Sequence, residues 1–184
     1  MFSDQDILKA IKKKDLVITP FDKNNLNPAS YTFHLGSKFL LIAGGRKIDP
    51  LYDSPLDLYN SYEGEYWLKP HDFILAETLE RVTVGKKIGM FFDGSSTLGR
   101  LGITIHITAS AIQTGHGAIK PRKITLEVKN LAKNTIKLTP GMPFGKGLFF
   151  KLNTPASFLD DLRDKYSLQD GVGGPLALTK KYKK

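Results

Sequence analysis

Between Tyr31 and Asn153 the chain is a succession of short apolar or alternating stretches, and Gly, Pro, Asn or Asp breaks nearly every gap between them. Stretches this short leave no room for long helices, and evenly spaced short strands with turn residues between them call for a sandwich, jelly roll or barrel. The predicted strands cover Tyr31–Leu35, Lys38–Ile42, Glu65–Leu68, Phe73–Thr78, Ile88–Phe92, Ile103–Thr108, Lys123–Lys129, Ile136–Leu138 and Gly147–Leu152. Ahead of them, Ser3–Lys14 reads as an amphipathic helix, with Ser3 or Asp4 as its cap and Ile7, Leu8 and Ile11 as its apolar stripe. A short strand, Leu16–Thr19, stops at Pro20, and Asn24–Ser30 is rich in turn residues. Ser157–Asp164 is expected to form a short helix, and the segment from Gln169 onward, with Gly171, Gly173, Gly174 and Pro175, reads as flexible.

With 184 residues and neither an internal repeat nor a linker, the chain is expected to be one domain spanning 1–184. Its 41% hydrophobic and 24% charged residues are near the globular average, which argues against disorder. The longest apolar runs, Ile103–Ile107 and Gly147–Phe150, fall far short of the roughly 20 residues that cross a bilayer. The first six residues carry no basic stretch followed by an apolar one, so a cytoplasmic protein without a membrane partner is expected. The absence of cysteine excludes disulfides, thiol catalysis and thiolate zinc sites. His34, His71, His106 and His116 show no metal-ligand spacing.

The net charge of +9 favours an anionic partner such as a nucleotide, nucleic acid or membrane. The runs at Lys12–Lys14 and Lys180–Lys184 read as a solvated helix face and a frayed end. Lys120, Arg122 and Lys123 lie in the strand-rich part and are harder to dismiss.

Three stretches could carry chemistry. In Gly94–Gly102, small residues and the hydroxyls of Ser95, Ser96 and Thr97 would let backbone N–H groups approach an anion, and Arg100 adds a forked cation. The same residues would also make an ordinary turn into a helix, and the Gly-Lys-Ser/Thr of a phosphate-binding loop is missing. Glu127 sits in an apolar strand, Ile124–Val128, where a buried carboxylate is costly unless paired or functional. Alternation puts it on one face with Thr125, which equally allows a surface position. Asp164–Gly171 joins Lys165, Tyr166 and Gln169 to a glycine-rich end, a composition suited to a lid or simply to a surface segment.

Taken together and in this order, these stretches resemble the dCTP deaminase family of the trimeric dUTPase-like superfamily. Asp4–Ile7 resembles its N-terminal helix, and Asn27–Gly36 is similar to its "NPASYDLRLG" segment with Thr32 in place of Asp. Pro70–Glu80 resembles "PGEFILATTLE", Ser96–Gly102 resembles "SSLARLG", and Thr125–Glu127 resembles "TLE". Pro140–Met142 matches "PGM", while Lys165, Tyr166 and Gln169 match "KYxxQ".

The resemblance implies a distorted β-barrel of jelly-roll type with a short N-terminal helix. It implies a homotrimer with shared active sites and a mobile lid from about residue 165 to residue 184. The implied reaction is hydrolysis of dCTP to dUTP and ammonia, feeding dUMP and dTTP synthesis, without zinc at the base and with Mg2+ carried by the triphosphate. Glu127 would be the general base and acid. Ser96 would hold the attacking water, and Arg100 would orient it and offset developing charge. Backbone groups at Thr108 and Ala109 would line the base, and Lys165 and Gln169 would meet phosphates and base on closure. Thr97, Thr125 and Tyr166 belong to the same motifs and are further substrate-binding candidates. Three positions depart from the family pattern on the sugar and phosphate side: Ser95 stands for Arg, Gln113 for Asp and Phe158 for Tyr. A dUTPase, a bifunctional enzyme releasing dUMP and pyrophosphate, and a non-catalytic nucleotide-binding relative are the competing expectations. Nucleic acid is not expected as a partner.

Overall fold

The computed structural model describes residues 1–162 and 164–179, so the lysine run 180–184 and the last part of the expected lid lie outside the described residues. Helix α1 spans Asp4–Lys12. Ser3 caps it from outside: its hydroxyl accepts from Asp6 N–H, while the Asp6 carboxylate accepts from Ser3 N–H. These bonds from Ser3 hold the Asp6 carboxyl below its ordinary range. The helix therefore starts one residue later than predicted, and it ends before Lys14, which adopts φ +60°. Ile7 and Ala10 face the barrel and are buried.

The strands are β1 (Leu16–Thr19), β2 (Leu26–Asn27), β3 (Ser30–Ile42), β4 (Tyr59–Glu63), β5 (Tyr66–Leu68), β6 (Phe73–Val84), β7 (Ile88–Gly94), β8 (Ile103–Thr104), β9 (Ala111–Ile112), β10 (Arg122–Asn130), β11 (Ile136–Leu138) and β12 (Pro143–Lys151). A short helix, α2 (Ser96–Arg100), follows β7, and a single 3-10 turn, Asp160–Leu162, stands where a helix was expected. Ten strands form one curled sheet in the order β8–β10–β6–β3–β12–β7–β9, with β1 added to β6 and both β2 and β4 added to β3. Strands β5 and β11 make a separate pair. The result is the expected distorted, mainly β barrel of jelly-roll type. Among the described residues no helix is long and apolar enough to cross a membrane.

Two predicted strands, Tyr31–Leu35 and Lys38–Ile42, are one strand, β3. Its pairing with β6 shifts register between Leu35 and Phe39. Gly36 sits in this bulge, where an added Cβ would lie 2.7 Å from Glu77 Cγ. Glycine here marks close packing rather than a strand end. Conversely, the predicted strand Ile103–Thr108 pairs only at Ile103–Thr104, because the backbone beyond turns its N–H groups toward a side chain on β10.

The core is aromatic at its centre. Tyr31, Phe33 and Phe92 form a chain of ring contacts at 5.3 and 5.4 Å, and exposed Phe21 stacks on the outer end at Tyr31. Phe39, Phe144 and Phe149 are fully buried beside Ile74, Met90 and Ile105. Each such side chain contributes about 1.5–3 kcal/mol through burial. Strand β10 alternates strictly: Ile124, Leu126 and Val128 are buried, while Lys123, Thr125 and Glu127 are half-buried on the other face.

Candidate active site

A cavity of about 370 Å3 lies against that second face of β10, with Glu127, Thr125 and Lys123 along it. A bulge sets this geometry. The β10–β6 register shifts between Lys123 and Thr125, which deprives Ile124 N–H of its ladder partner. The buried Thr78 hydroxyl accepts from Ile124 N–H at 2.9 Å and donates to Glu80 C=O at 2.7 Å. Both groups at the irregularity are thus satisfied, and the following residues of β10 turn their side chains into the cavity.

The Glu127 carboxylate is held by the chain before β9. Oε2 accepts from Ile107 N–H at 2.7 Å and from Thr108 N–H at 3.2 Å. Among the described residues Oε1 makes no hydrogen bond within the chain, and Glu127 lines the cavity. One oxygen is therefore fixed and the other faces the space a ligand would fill. Ala109, Ala111, Ile112, Phe73, Leu75 and Tyr59 supply apolar walls suited to a flat ring. Tyr59 is raised above its ordinary phenol range by burial first and by nearby Tyr166 second.

The start of β10 also brings two basic side chains to the cavity, each paired with a carboxylate. Arg122, 6% exposed, donates to Tyr166 C=O at 2.6 Å and to Asp164 Oδ2 at 3.2 Å, and lies 3.3 Å from His116 Nδ1. Lys123 pairs with Glu77.

Residues 164–175 close the top of the cavity. Tyr166, Gln169, Gly173, Gly174 and Pro175 line it. Gln169 Nε2 donates to the Thr125 hydroxyl at 2.8 Å. Lys165 Nζ donates to Leu176 C=O at 2.7 Å and Ala177 C=O at 3.2 Å, and the Tyr166 hydroxyl accepts from Leu176 N–H at 3.0 Å. These two residues pin the segment to itself, and further on Ala177 N–H donates to the Ser54 hydroxyl at 2.8 Å.

Of the residues singled out in the sequence, the fold thus brings together Glu127, Thr108, Ala109, Thr125, Tyr166 and Gln169. It does not bring Ser95, Ser96, Thr97, Arg100, Gln113, Phe158 or Lys165 into the cavity lining of the same chain. Ser95 caps α2, its hydroxyl accepting from Leu98 N–H at 3.2 Å, and Leu98 anchors that helix in the core. Ser96, Thr97 and Arg100 are exposed on α2. Gln113 is exposed and uses its carbonyl to accept from His116 N–H at 3.1 Å. Phe158 is 48% exposed. Sequence reasoning missed Tyr59, Phe73 and His116, and gave Asp164 no role within the Asp164–Gly171 stretch it had singled out. Their only sequence signal is residue type, since five separate chain segments meet here.

The sequence pattern of a family described as dCTP deaminase-like matches residues 1–152. A protein of Dictyoglomus turgidum named "dCTP deaminase, dUMP-forming" is 35% identical over 181 residues, covering 93% of this chain and 91% of that protein. A protein of Haloarcula marismortui named "dCTP deaminase" is 34% identical over 183 residues, covering 93% and 91%. Among solved structures, a 2'-deoxycytidine 5'-triphosphate deaminase from Agrobacterium tumefaciens matches with a TM-score of 0.62 at 17% identity, over 80% of this chain and 47% of that one.

Proposed function

This chain belongs to the dCTP deaminase-like family, and on that premise we propose that it deaminates dCTP by adding water at C4 of the cytosine ring and releasing ammonia. The observation that carries this reading is the Glu127 carboxylate, anchored through Oε2 by the N–H groups of Ile107 and Thr108 and facing an apolar-walled cavity. Glu127 accepts a proton from the attacking water. As the hydroxide adds to C4, Glu127 passes that proton to N3; it then takes the proton of the new C4 hydroxyl and delivers it to the amino group, so that C4=O forms as the C–N bond breaks and ammonia leaves. The fixed oxygen keeps the carboxylate from rotating away, so one orientation serves each proton transfer.

Arg122 and Lys123 line the cavity as the cations a triphosphate would meet, each already held by a carboxylate, Asp164 and Glu77, from which the phosphates would draw it. Magnesium, where it acts, rides on the substrate's phosphate oxygens, the hard ligands that this ion prefers. Among the described residues no group of three or more His, Asp or Glu stands together as a ligand set, so the donors would come from the substrate.

Ser96 and Arg100 enter through assembly in this reading. Both are exposed on α2 and lie off their own chain's cavity, beside exposed Leu101. A homotrimer in which α2 of one subunit completes the cavity of the next gives both residues the roles their motif implies, holding the water and offsetting charge.

The first product is dUTP. A second reading, in which dUTP is cleaved further to dUMP and pyrophosphate, draws support from the "dUMP-forming" name of the Dictyoglomus relative. Against it, the neutral amide of Gln113 has no proton-accepting site near neutral pH. Offering dCTP, CTP, dCMP and dUTP separately, with ammonia and pyrophosphate assayed independently, tests both. Ammonia from dCTP is expected. No ammonia from any cytosine nucleotide would end the deaminase reading, and pyrophosphate released at the rate of ammonia would establish the second.

A further inference from the structure

We propose that Glu77 is the catch that holds the C-terminal segment over the cavity, a positioning residue acting through residues 169–172. Glu77 lies on β6 at 1% exposure, and no step of the proposed chemistry uses it. A carboxylate this buried is costly unless both oxygens are engaged. Here they are. Oε1 pairs with Lys123 Nζ, and Oε2 accepts from Val172 N–H at 2.8 Å.

The two partners differ in kind. Lys123 sits on β10, next to β6 in the sheet, so that bond belongs to the barrel. Val172 belongs to the closing segment, so its bond exists only while the segment is down. Lifting the segment takes the N–H donor from Oε2 of a buried carboxylate, which shifts the equilibrium toward closure.

Shape supports the same assignment. Gly171 adopts φ +100°, and a Cβ there would lie 2.5 Å from Glu77 Oε2. On the barrel side, Gly36 makes room for Glu77 Cγ. The side chain is seated between two glycines, one of them on the segment it holds. Neighbouring contacts guide the same four residues into place. Gln169 bonds to Thr125, and Asp170 pairs with Arg81 and lies 3.5 Å from Lys120. Thr125 shares the cavity face of β10 with Glu127, so the line of docking runs along the strand that carries the proposed base.

Hydrogen–deuterium exchange on the full chain without nucleotide tests the catch apart from any activity. Glu77→Gln leaves one acceptor oxygen where two are used. Because it also disturbs Lys123 in the barrel, Gly171→Ala is the second variant; it alters only the segment and brings a methyl group against Glu77 Oε2. Both are expected to speed exchange of the amides of 169–179 by roughly tenfold or more, the scale of a lost hydrogen bond to a charged group, and in Gly171→Ala β3, β6 and β10 should be unchanged. A kinetic arm, which rests on the proposed deaminase reading, expects the KM for dCTP to rise about tenfold with kcat within about threefold. Wild-type exchange of 169–179 in Glu77→Gln would overturn the catch even if Gly171→Ala exchanges faster, because Ala at φ +100° loosens the segment whether or not Glu77 holds it. Faster exchange in a protein that makes no ammonia would sustain the catch and dismiss the deaminase reading.

Discussion

Glu127 shows how little of a residue's role lies in its own chemistry. It is one of 18 acidic residues, and its strand neighbours allow either a core or a surface position. The Ile107 and Thr108 N–H groups on Oε2 make it a directed group. Glu127→Gln keeps shape and hydrogen bonding but cannot take a proton, so deamination should fall at least ~10²–10⁴-fold while nucleotide still binds. Paired turnover and binding measurements check this, and near-normal turnover would remove Glu127 from the mechanism. Thr78 is the less visible counterpart. Its hydroxyl satisfies Ile124 N–H at the bulge that aims Glu127. Thr78→Val keeps the volume and leaves that buried donor without an acceptor, so denaturant unfolding should show a loss of about 1–3 kcal/mol.

At the scale of elements, the closing segment is the part whose behaviour conditions should change most. Truncation after Tyr166 removes the Gln169, Asp170 and Val172 contacts but leaves the barrel's sheet intact. The truncated enzyme is expected to fold, as circular dichroism would show, and to lose activity or bind dCTP with a much higher KM. Unchanged kinetics would mean that closure does nothing for the reaction.

The segment should also respond to acid. The Arg81 hydrogen bond to Asp170, with Arg81 and Lys120 charge behind it, holds that carboxyl below its ordinary range. A carboxyl depressed in the docked state favours docking above its free value. That contribution is lost as pH falls through the docked value. Asp170 is 49% exposed, so solvent screens the pair and the effect is modest. With the intrinsic exchange rates divided out, protection of the 169–179 amides should therefore fall as pH drops below the free carboxyl value of 3.8, and Asp170→Asn should flatten that dependence.

At the scale of the whole molecule, the proposed site depends on assembly. A single chain carries Glu127 in a cavity and Ser96 with Arg100 on an exposed helix away from it. The proposed sharing between subunits would bring the two together, and light scattering at working concentration should then give a trimer. Mixing Glu127→Gln with Arg100→Ala subunits makes the sharper measurement. Each parent alone should be nearly inactive, and reassembled mixtures should regain activity where an intact α2 meets an intact Glu127. A fully active monomer, or no recovery on mixing, would count against shared sites.

The mainly β architecture, the capped N-terminal helix and the family were legible in the sequence, because strand periodicity, turn residues and capping chemistry act over a few neighbouring positions. The motifs around Ser96–Gly102 and Thr125–Glu127 were legible for the same reason. Tertiary structure alone decided that Gly36 bends one strand rather than ending it, since the cause is Glu77, far along the chain on β6. It alone placed Arg122 against His116, Asp164 and Tyr166, and stood α2 apart from the cavity. Each of these depends on which distant segments pack together, and local sequence carries no record of that. Glu77 is the plainest instance: as a letter it is one more acidic residue in a strand, and only burial, Lys123, Val172 and the two glycines around it make it a catch.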